Sequence, residues 1–341
     1  MTTLVTGGAG FIGTNLAHAL LSGGERVRIV DNLSRPGVER NLRFLLGAHG
    51  DRLDFRELDV RDRAGLREAV EGVGFVFHLA AQVAVTTSLD DPLSDFETNL
   101  AGTVGLLDEL RRLPRPPGIL FTSTNKVYGS LEDVPLSRAY DQWLPMSDEL
   151  RERGVSEQRP LEFRTPYGCS KGAADQYVLD WAKSYDLPAC VFRMSCIYGA
   201  HQHGNEDQGW VAHFVLRTLA DEPLTIYGDG AQVRDVLHVD DLVRAFLAAR
   251  DGIDTVTGHA FNVGGGPDNT LSLLELVDLL EELHGTRPAL RFADERPGDQ
   301  RWYVSDWSRL HTATGWTPRI GPVEGVGALY HHLLPAEATA A

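Results

Sequence analysis

The stretch Thr6-Gly7-Gly8-Ala9-Gly10-Phe11-Ile12-Gly13 stands between a short apolar run, Leu4–Thr6, and a helical pattern, Phe11–Leu21. Strand, glycine turn and helix follow one another without a spacer. Gly7 permits the tight turn, Gly10 lets backbone come close to a diphosphate, and Gly13 lets the helix lie close to the strand. The new helix turns its free N–H groups and partial positive charge toward the same place. A glycine triplet alone is a weak signal; in this strand–turn–helix context it is a strong one.

Moving outward, apolar runs recur at Arg26–Asp31, Leu53–Glu57, Phe75–Leu79, Ile119–Ser123 and Ala189–Arg193. Helical patterns such as Arg63–Glu71 and Asn99–Arg111 lie between them. Alternation of this kind predicts an α/β fold, a Rossmann-type doubly wound parallel sheet with helices on both faces. The second half is less regular. Glu132–Thr165 is polar with no clear period and reads as an excursion near the site mouth, while Leu271–Leu283 reads as an amphipathic helix. Val233–Phe261 reads as a return to the sheet. The expected division is a dinucleotide-binding domain of residues 1–198 plus 233–262. A smaller, discontinuous substrate lobe takes residues 199–232 plus 263–334, and the tail 335–341 is expected to be disordered.

The chain has 341 residues, enough for two lobes around a large core. Its net charge of −16 argues against nucleic acid and anionic membrane as partners. The three cysteines, Cys169, Cys190 and Cys196, have neither disulfide nor zinc spacing and suit a reducing compartment. The first residues lack a signal-peptide pattern and no apolar run is long enough to span a bilayer, so a cytoplasmic location is expected.

Asp31 ends the second strand about 20 residues after the glycines, where an acid accepts a hydrogen bond from a ribose 2′-hydroxyl and repels a 2′-phosphate. NAD is therefore expected over NADP, although Arg35 stands nearby. Asp59 and Val60 end the third strand and can flank adenine; Asp59 serves equally well as a loop cap. Leu79, Ala80 and Ala81 follow the fourth strand with small side chains that leave room for a cofactor. His78 reads as a satisfied core histidine.

Tyr167 and Lys171 share a helical face at i and i+4. A free phenol titrates near 10, too high for a base at neutral pH. A nearby ammonium and a positive nicotinamide favour the phenolate. Thr124, ending the fifth strand, adds a hydroxyl for the reacting oxygen. Arg234 and Arg301 are the guanidinium groups expected on a diphosphate. Thr86, Thr87 and Ser88 offer hydroxyls to a sugar or cap a turn. Asn125 and Lys126 can hold a sugar. Gln208 and Trp210 can enclose diphosphate and base, although a lone Trp210 also suits a core. His201 and His203 with Glu206 and Asp207 have no helical or hairpin spacing for metal ligands, so no metal is expected.

TGGAGFIG, Asp31, HLAA, the Thr124/Tyr167/Lys171 set and VRDVLHVDDL together resemble the extended short-chain dehydrogenase/reductase class, the NAD-dependent epimerase/dehydratase family. The resemblance implies a cofactor set of Gly7, Gly10, Phe11, Ile12, Asp31, Asn32, Asp59, Val60, Leu79, Ala80, Ala81 and Asn99, joined by Tyr167 and Lys171. It implies a substrate set of Gln82, Thr86, Asn125, Lys126, Gln208, Trp210, Arg234 and Arg301.

In the dehydratases of this class an acid pair follows the hydroxyl residue; here those positions hold Asn125 and Lys126, which argues against dehydration. STNKVYG, QVAVTTSLDDPLSDFETN, TPYGCSKGAADQYVLD, DQGWV, GAQVRDVLH and DQRWYVSD are similar to the CDP-tyvelose 2-epimerase (CDP-paratose 2-epimerase) family. That resemblance implies epimerisation at carbon 2 of a CDP-linked hexose through a 2-keto sugar. The excursion Glu132–Thr165 and the loop His201–Glu206 depart from it. A nucleotide-sugar 4-epimerase and a non-catalytic sensor are the alternatives. Helices from Asn99 and Tyr167 can pair across a two-fold axis, so a homodimer or homotetramer is expected.

Overall fold

The computed structural model describes residues 2–296 and 298–334; the tail expected to be disordered lies outside the described residues. Seven parallel strands form the main sheet, numbered along the chain β1 (Thr2–Thr6), β2 (Arg26–Asp31), β3 (Leu53–Glu57), β4 (Val73–His78), β5 (Gly118–Thr124), β6 (Ala189–Met194) and β7 (Ala260–Val263). Their order is β3-β2-β1-β4-β5-β6-β7, so the winding reverses between β1 and β4. Ligands on such sheets bind beyond the carboxyl ends at that reversal. The glycine turn and the Leu79–Gln82 segment leave the sheet there. Both faces of the sheet are covered, which is why its strands read as continuous apolar runs rather than alternating ones. One face packs under helices Phe11–Ser22 and Val239–Asp251 through Leu16, Leu20, Leu242 and Phe246. The other packs under Gly102–Leu110 and Thr165–Ser184 through Leu106, Leu107, Ala174 and Val178.

Several expectations for the second half are corrected. Val233–Phe261 returns to the main sheet only at its end, as β7. Val233–His238 instead pairs with Cys196–Tyr198, Thr270–Ser272 and Trp302–Tyr303 in a second sheet. Its side chains are all buried, so periodicity could not tell which sheet it joins. Leu310 and Trp316, expected in the smaller lobe, pack with Leu242 and Phe246 on the main sheet. A further cluster gathers Val211, Val215, Ile226, Leu276, Leu280 and Leu329. The amphipathic helix there runs Leu273–His284 and starts at a capping box, Ser272 with Glu275. The excursion holds an antiparallel hairpin, Leu136–Ala139 with Gln142–Pro145, and a short helix, Asp148–Arg153. Its two-residue turn places Tyr140, not glycine or asparagine, at positive φ, so the usual hairpin signal is missing. The hairpin is propped from outside: the Trp143 N–H donates to Ala231 O at 2.8 Å.

Candidate active site

Gly7 adopts φ +69°, and a Cβ there would stand 2.8 Å from the backbone nitrogen of Ala80. A Cβ on Gly13 would stand 2.2 Å from the Gly7 carbonyl oxygen. These two glycines let the turn press against Leu79–Ala80 on one side and the helix on the other. Gly10 caps Phe11–Ser22 with no side-chain acceptor for the first N–H groups, which leaves them to an anion.

Asp31 accepts from Ala9 N at 3.0 Å and Leu33 N at 2.9 Å. Burial raises its pKa; these backbone donors and Arg35 pull against that. Each carboxylate oxygen keeps a second lone pair for a further donor. Asn32 donates to Asp59 at 2.8 Å, and Arg61 clamps Asp59 with two bonds of 2.9 Å. The bond from Arg61 first, then Asn32, holds Asp59 well below the usual carboxylate range. Asp59 also caps its own loop through Arg61 N, so the cap reading describes it. Val60 is buried beside it. Turn, acid and free helix start together fit a dinucleotide.

A loop over residues 199–209 straps across this cradle. Asn15 donates to Ala200 O at 2.8 Å, and Asn41 donates to both Ala9 O and His201 O. Gln208 accepts from Arg35. His203 meets Asn41, Glu206 accepts from Tyr227, and Asp207 pairs with Arg296, so the residues weighed as a metal cluster disperse to different partners. His78 is buried between Thr6 (2.6 Å) and Thr103 (3.0 Å), and burial pushes it down to about 3: a neutral core histidine.

At the carboxyl end of β5, Thr124 faces the helix Thr165–Ser184, which begins at Thr165 in a positive-φ conformation costly for a β-branched residue. Burial pushes the Tyr167 phenol up to about 12, while a hydrogen bond with Thr124 pulls it down. Lys171 is buried over the Phe121 ring, its Nζ 4.2 Å from the ring centre. Burial pushes it down to about 7, with Asp175 and Asp95 opposing. Lys171 is itself desolvated, and Thr124 is the group that lowers Tyr167.

Asn99, expected on the cofactor, spends its amide inside the protein. It exchanges two bonds with the Gln82 backbone, at 2.8 and 2.9 Å, and donates to Asp95 and Ser170. It thereby fixes the loop that carries Gln82 and, four residues on, Thr86. Ser88 is buried and accepts from Tyr167 N at 3.2 Å, so it supports the start of the helix Thr165–Ser184.

Asn125 is buried and donates to Gln300 at 3.3 Å. Lys126 donates to Gly298 O at 3.3 Å and stands 3.7 Å from Asp299. Arg234 is 8% exposed and donates to the same Asp299 oxygen at 2.5 Å. Burial would raise Asp299; Arg234 and Lys126 outweigh it and hold the carboxyl low. Arg301 is exposed, pairs with Glu295 at 2.9 Å and leans on Trp143. Trp210 packs against the smaller cluster, T-shaped to Phe214, and is mainly core.

Sequence reasoning missed Asp299, Gln300 and Arg296. Arg296 lies 3.8 Å from the Tyr227 ring centre and donates to Glu206 O at 2.8 Å. Their signal in the sequence is the polar run Glu295–Arg301, whose end opens the stretch DQRWYVSD.

Residues 3–264 match the NAD dependent epimerase/dehydratase family. The CDP-paratose 2-epimerase of Salmonella typhi is 39% identical, covering 97% of this chain and 98% of that protein. The UDP-glucose 4-epimerase of Mycolicibacterium smegmatis is 33% identical, covering 96% of each. Among solved structures, the UDP-glucuronic acid 4-epimerase of Bacillus cereus, in complex with UDP-glucuronic acid and NAD, superposes with a TM-score of 0.84. It is 27% identical and covers 97% of this chain and 98% of its own.

Proposed function

The chain belongs to the NAD-dependent epimerase/dehydratase family, and from that premise we propose that it inverts carbon 2 of a CDP-linked hexose. The substrate would be of the CDP-paratose/CDP-tyvelose type, and the route a transient 2-keto sugar. The observation that carries this reading is the turn after Thr124. Asn125 and Lys126 stand where a dehydrating enzyme needs carboxyl groups, and both are engaged by residues 298–300. Elimination of water has no carboxyl proton carrier at that place. The similarity to CDP-paratose 2-epimerase then favours carbon 2 and a cytidine nucleotide.

The turn Gly7–Gly13, Asp31 and Leu79–Ala81 would hold NAD, which supplies a hydride acceptor and donor when bound. Tyr167 takes the proton of the 2-hydroxyl as the carbon is oxidised and returns it when the carbon is reduced on its other face. Thr124 hydrogen-bonds the same oxygen and keeps it within reach of the phenol. Lys171, when protonated, favours the phenolate across the helical turn. Arg234 and Lys126, gathered on Asp299, form a cationic wall for the diphosphate.

Inversion at carbon 4 is the second reading, favoured by the likeness to 4-epimerases in sequence and fold. Incubation with CDP-paratose and with UDP-glucose, followed by NMR of the products, separates the two. The proposal expects CDP-tyvelose from the first and no galactose epimer from the second. Faster conversion of UDP-glucose would overturn it.

A further inference from the structure

A buried acid lies beneath the Tyr167–Lys171 turn, in a position that neither cofactor nor sugar contacts explain. Asp95, in the short helix Pro92–Phe96, is 0% exposed. One of its oxygens accepts from Ser170 Oγ, and the other from Asn99 Nδ2 at 3.1 Å. Ser170 stands between Tyr167 and Lys171 on the catalytic helix, and its Oγ also lies 3.2 Å from Tyr167 O. Both hydrogen-bond partners of Asp95 are neutral, and among the described residues no ion pair reaches it.

The other acid near Lys171 is differently placed. Asp175 is gripped by Arg193 through two bonds, 2.8 and 3.0 Å, so most of its charge is answered locally. A buried carboxylate with only neutral donors is costly. A plain staple between two helices needs only a hydrogen-bonding side chain, and an asparagine would serve. Burial raises the Asp95 pKa, and the groups that pull it back toward the charged form are Ser170 and the nearby cation, Lys171.

We propose that Asp95 is a positioning residue that keeps the Lys171 ammonium charged and in place during catalysis. This rests on the reading of Tyr167 and Lys171 as the acid/base pair. The groups facing Lys171 are few. Tyr167 and Asp175 share its helix, Asp95 comes from the neighbouring helix, His78 from β4 and the Phe121 ring from β5. His78 is neutral across the working range, so the acids set the local field. The same carboxyl also opposes ionisation of Tyr167. Removing it eases proton loss from both members of the pair, so both should titrate at lower pH.

The chain has three lysines, Lys126, Lys171 and Lys183, so [ε-13C]lysine labelling of the purified holoenzyme gives three side-chain signals. Replacing Lys171 by arginine assigns the one that matters. In Asp95→Asn the Lys171 midpoint is expected to fall by about one pH unit, roughly tenfold in proton affinity, while Lys126 and Lys183 do not move. Both limbs of the kcat/KM profile should shift to lower pH with it. Asp95→Ser removes the charge and leaves a small hydroxyl, and should give the same shift should the asparagine variant misfold. An unmoved Lys171 midpoint in either folded variant overturns the proposal. Loss of folding in both counts against it too, since Asp95 would then be a structural staple. Failure of the acid/base reading itself shows elsewhere, as near-normal turnover in Tyr167→Phe, whichever way Lys171 titrates.

Discussion

The cofactor cradle and the proposed substrate wall are built in opposite ways. The cradle is made of backbone: Gly7 at φ +69°, Gly13 against the Gly7 carbonyl, and a helix start with no side-chain cap. The wall is made of side chains brought from far apart: Asn125 and Lys126 meet residues 298–300, and Arg234 joins them on Asp299. Backbone geometry forces particular residues at particular spacings. A side-chain network leaves no such local trace, because each member is chosen by a distant partner. The two regions meet at Tyr167, and substitutions should grade accordingly.

At the meeting point the effect should be largest. Tyr167→Phe is expected to lower turnover by about 10²–10⁴-fold, the usual cost of losing one acid/base group. Bound NAD, read by absorbance after denaturation, should match wild type. Activity within tenfold of wild type would remove Tyr167 from the chemistry. On the backbone side, Gly7→Val places a side chain into the Ala80 backbone at positive φ, so loss of bound NAD is the expected result, with weaker loss of thermal stability. A variant that retains full cofactor would show that the cradle is not backbone-made.

The side-chain wall should respond by degrees. Arg234→Ala leaves Asp299 with one cation fewer and removes the proposed diphosphate partner. KM is expected to rise more than kcat falls. Arg301→Ala should do less, because Arg301 is exposed and its pairing with Glu295 is a surface ion pair, worth about 0–1 kcal/mol. Steady-state kinetics giving equal KM changes at both sites would break the distinction drawn from burial.

This contrast also explains what could be read from sequence. The strands β1 to β6 and the glycine turn were legible, since doubly buried parallel strands are continuous apolar runs and the turn has its own residue code. Val233–Phe261 was legible as a return to a sheet, but not that Val233–His238 joins the second one, because buried runs look alike whichever sheet they enter. The hairpin at 136–145 was not legible, since Tyr140 occupies its turn and Ala231 props it from a distant loop. Of the site residues, Thr124 stands at the carboxyl end of β5 and Tyr167 and Lys171 on the helix Thr165–Ser184 that faces it. Asn99 lies beneath them, holding the Gln82 loop with its amide already spent. Asp299, Gln300 and Asp95 were missed because their roles exist only through partners supplied by other segments.

A separate effect concerns pH. His78 is buried and neutral, with its folded pKa lowered to about 3 from about 6.5 when unfolded. Between these values the unfolded chain binds a proton that the folded one refuses, so stability falls as pH drops from about 6.5 toward 3. This one group contributes a limiting slope of about 1.4 kcal/mol per pH unit. Urea unfolding across that window should show the decline, and the part due to this ring should vanish in His78→Gln. An unchanged slope in that variant would locate the acid sensitivity elsewhere.

The central claim is that the sugar carbon loses and regains the same hydrogen as hydride. The direct measurement uses CDP-sugar substrate deuterated at carbon 2, turned over in ordinary water, with a parallel reaction of unlabelled substrate in heavy water. The account predicts that product keeps the label at the inverted carbon and gains no solvent deuterium there. Solvent deuterium at that carbon, with loss of the original label, would contradict hydride transfer and point to proton abstraction at carbon instead.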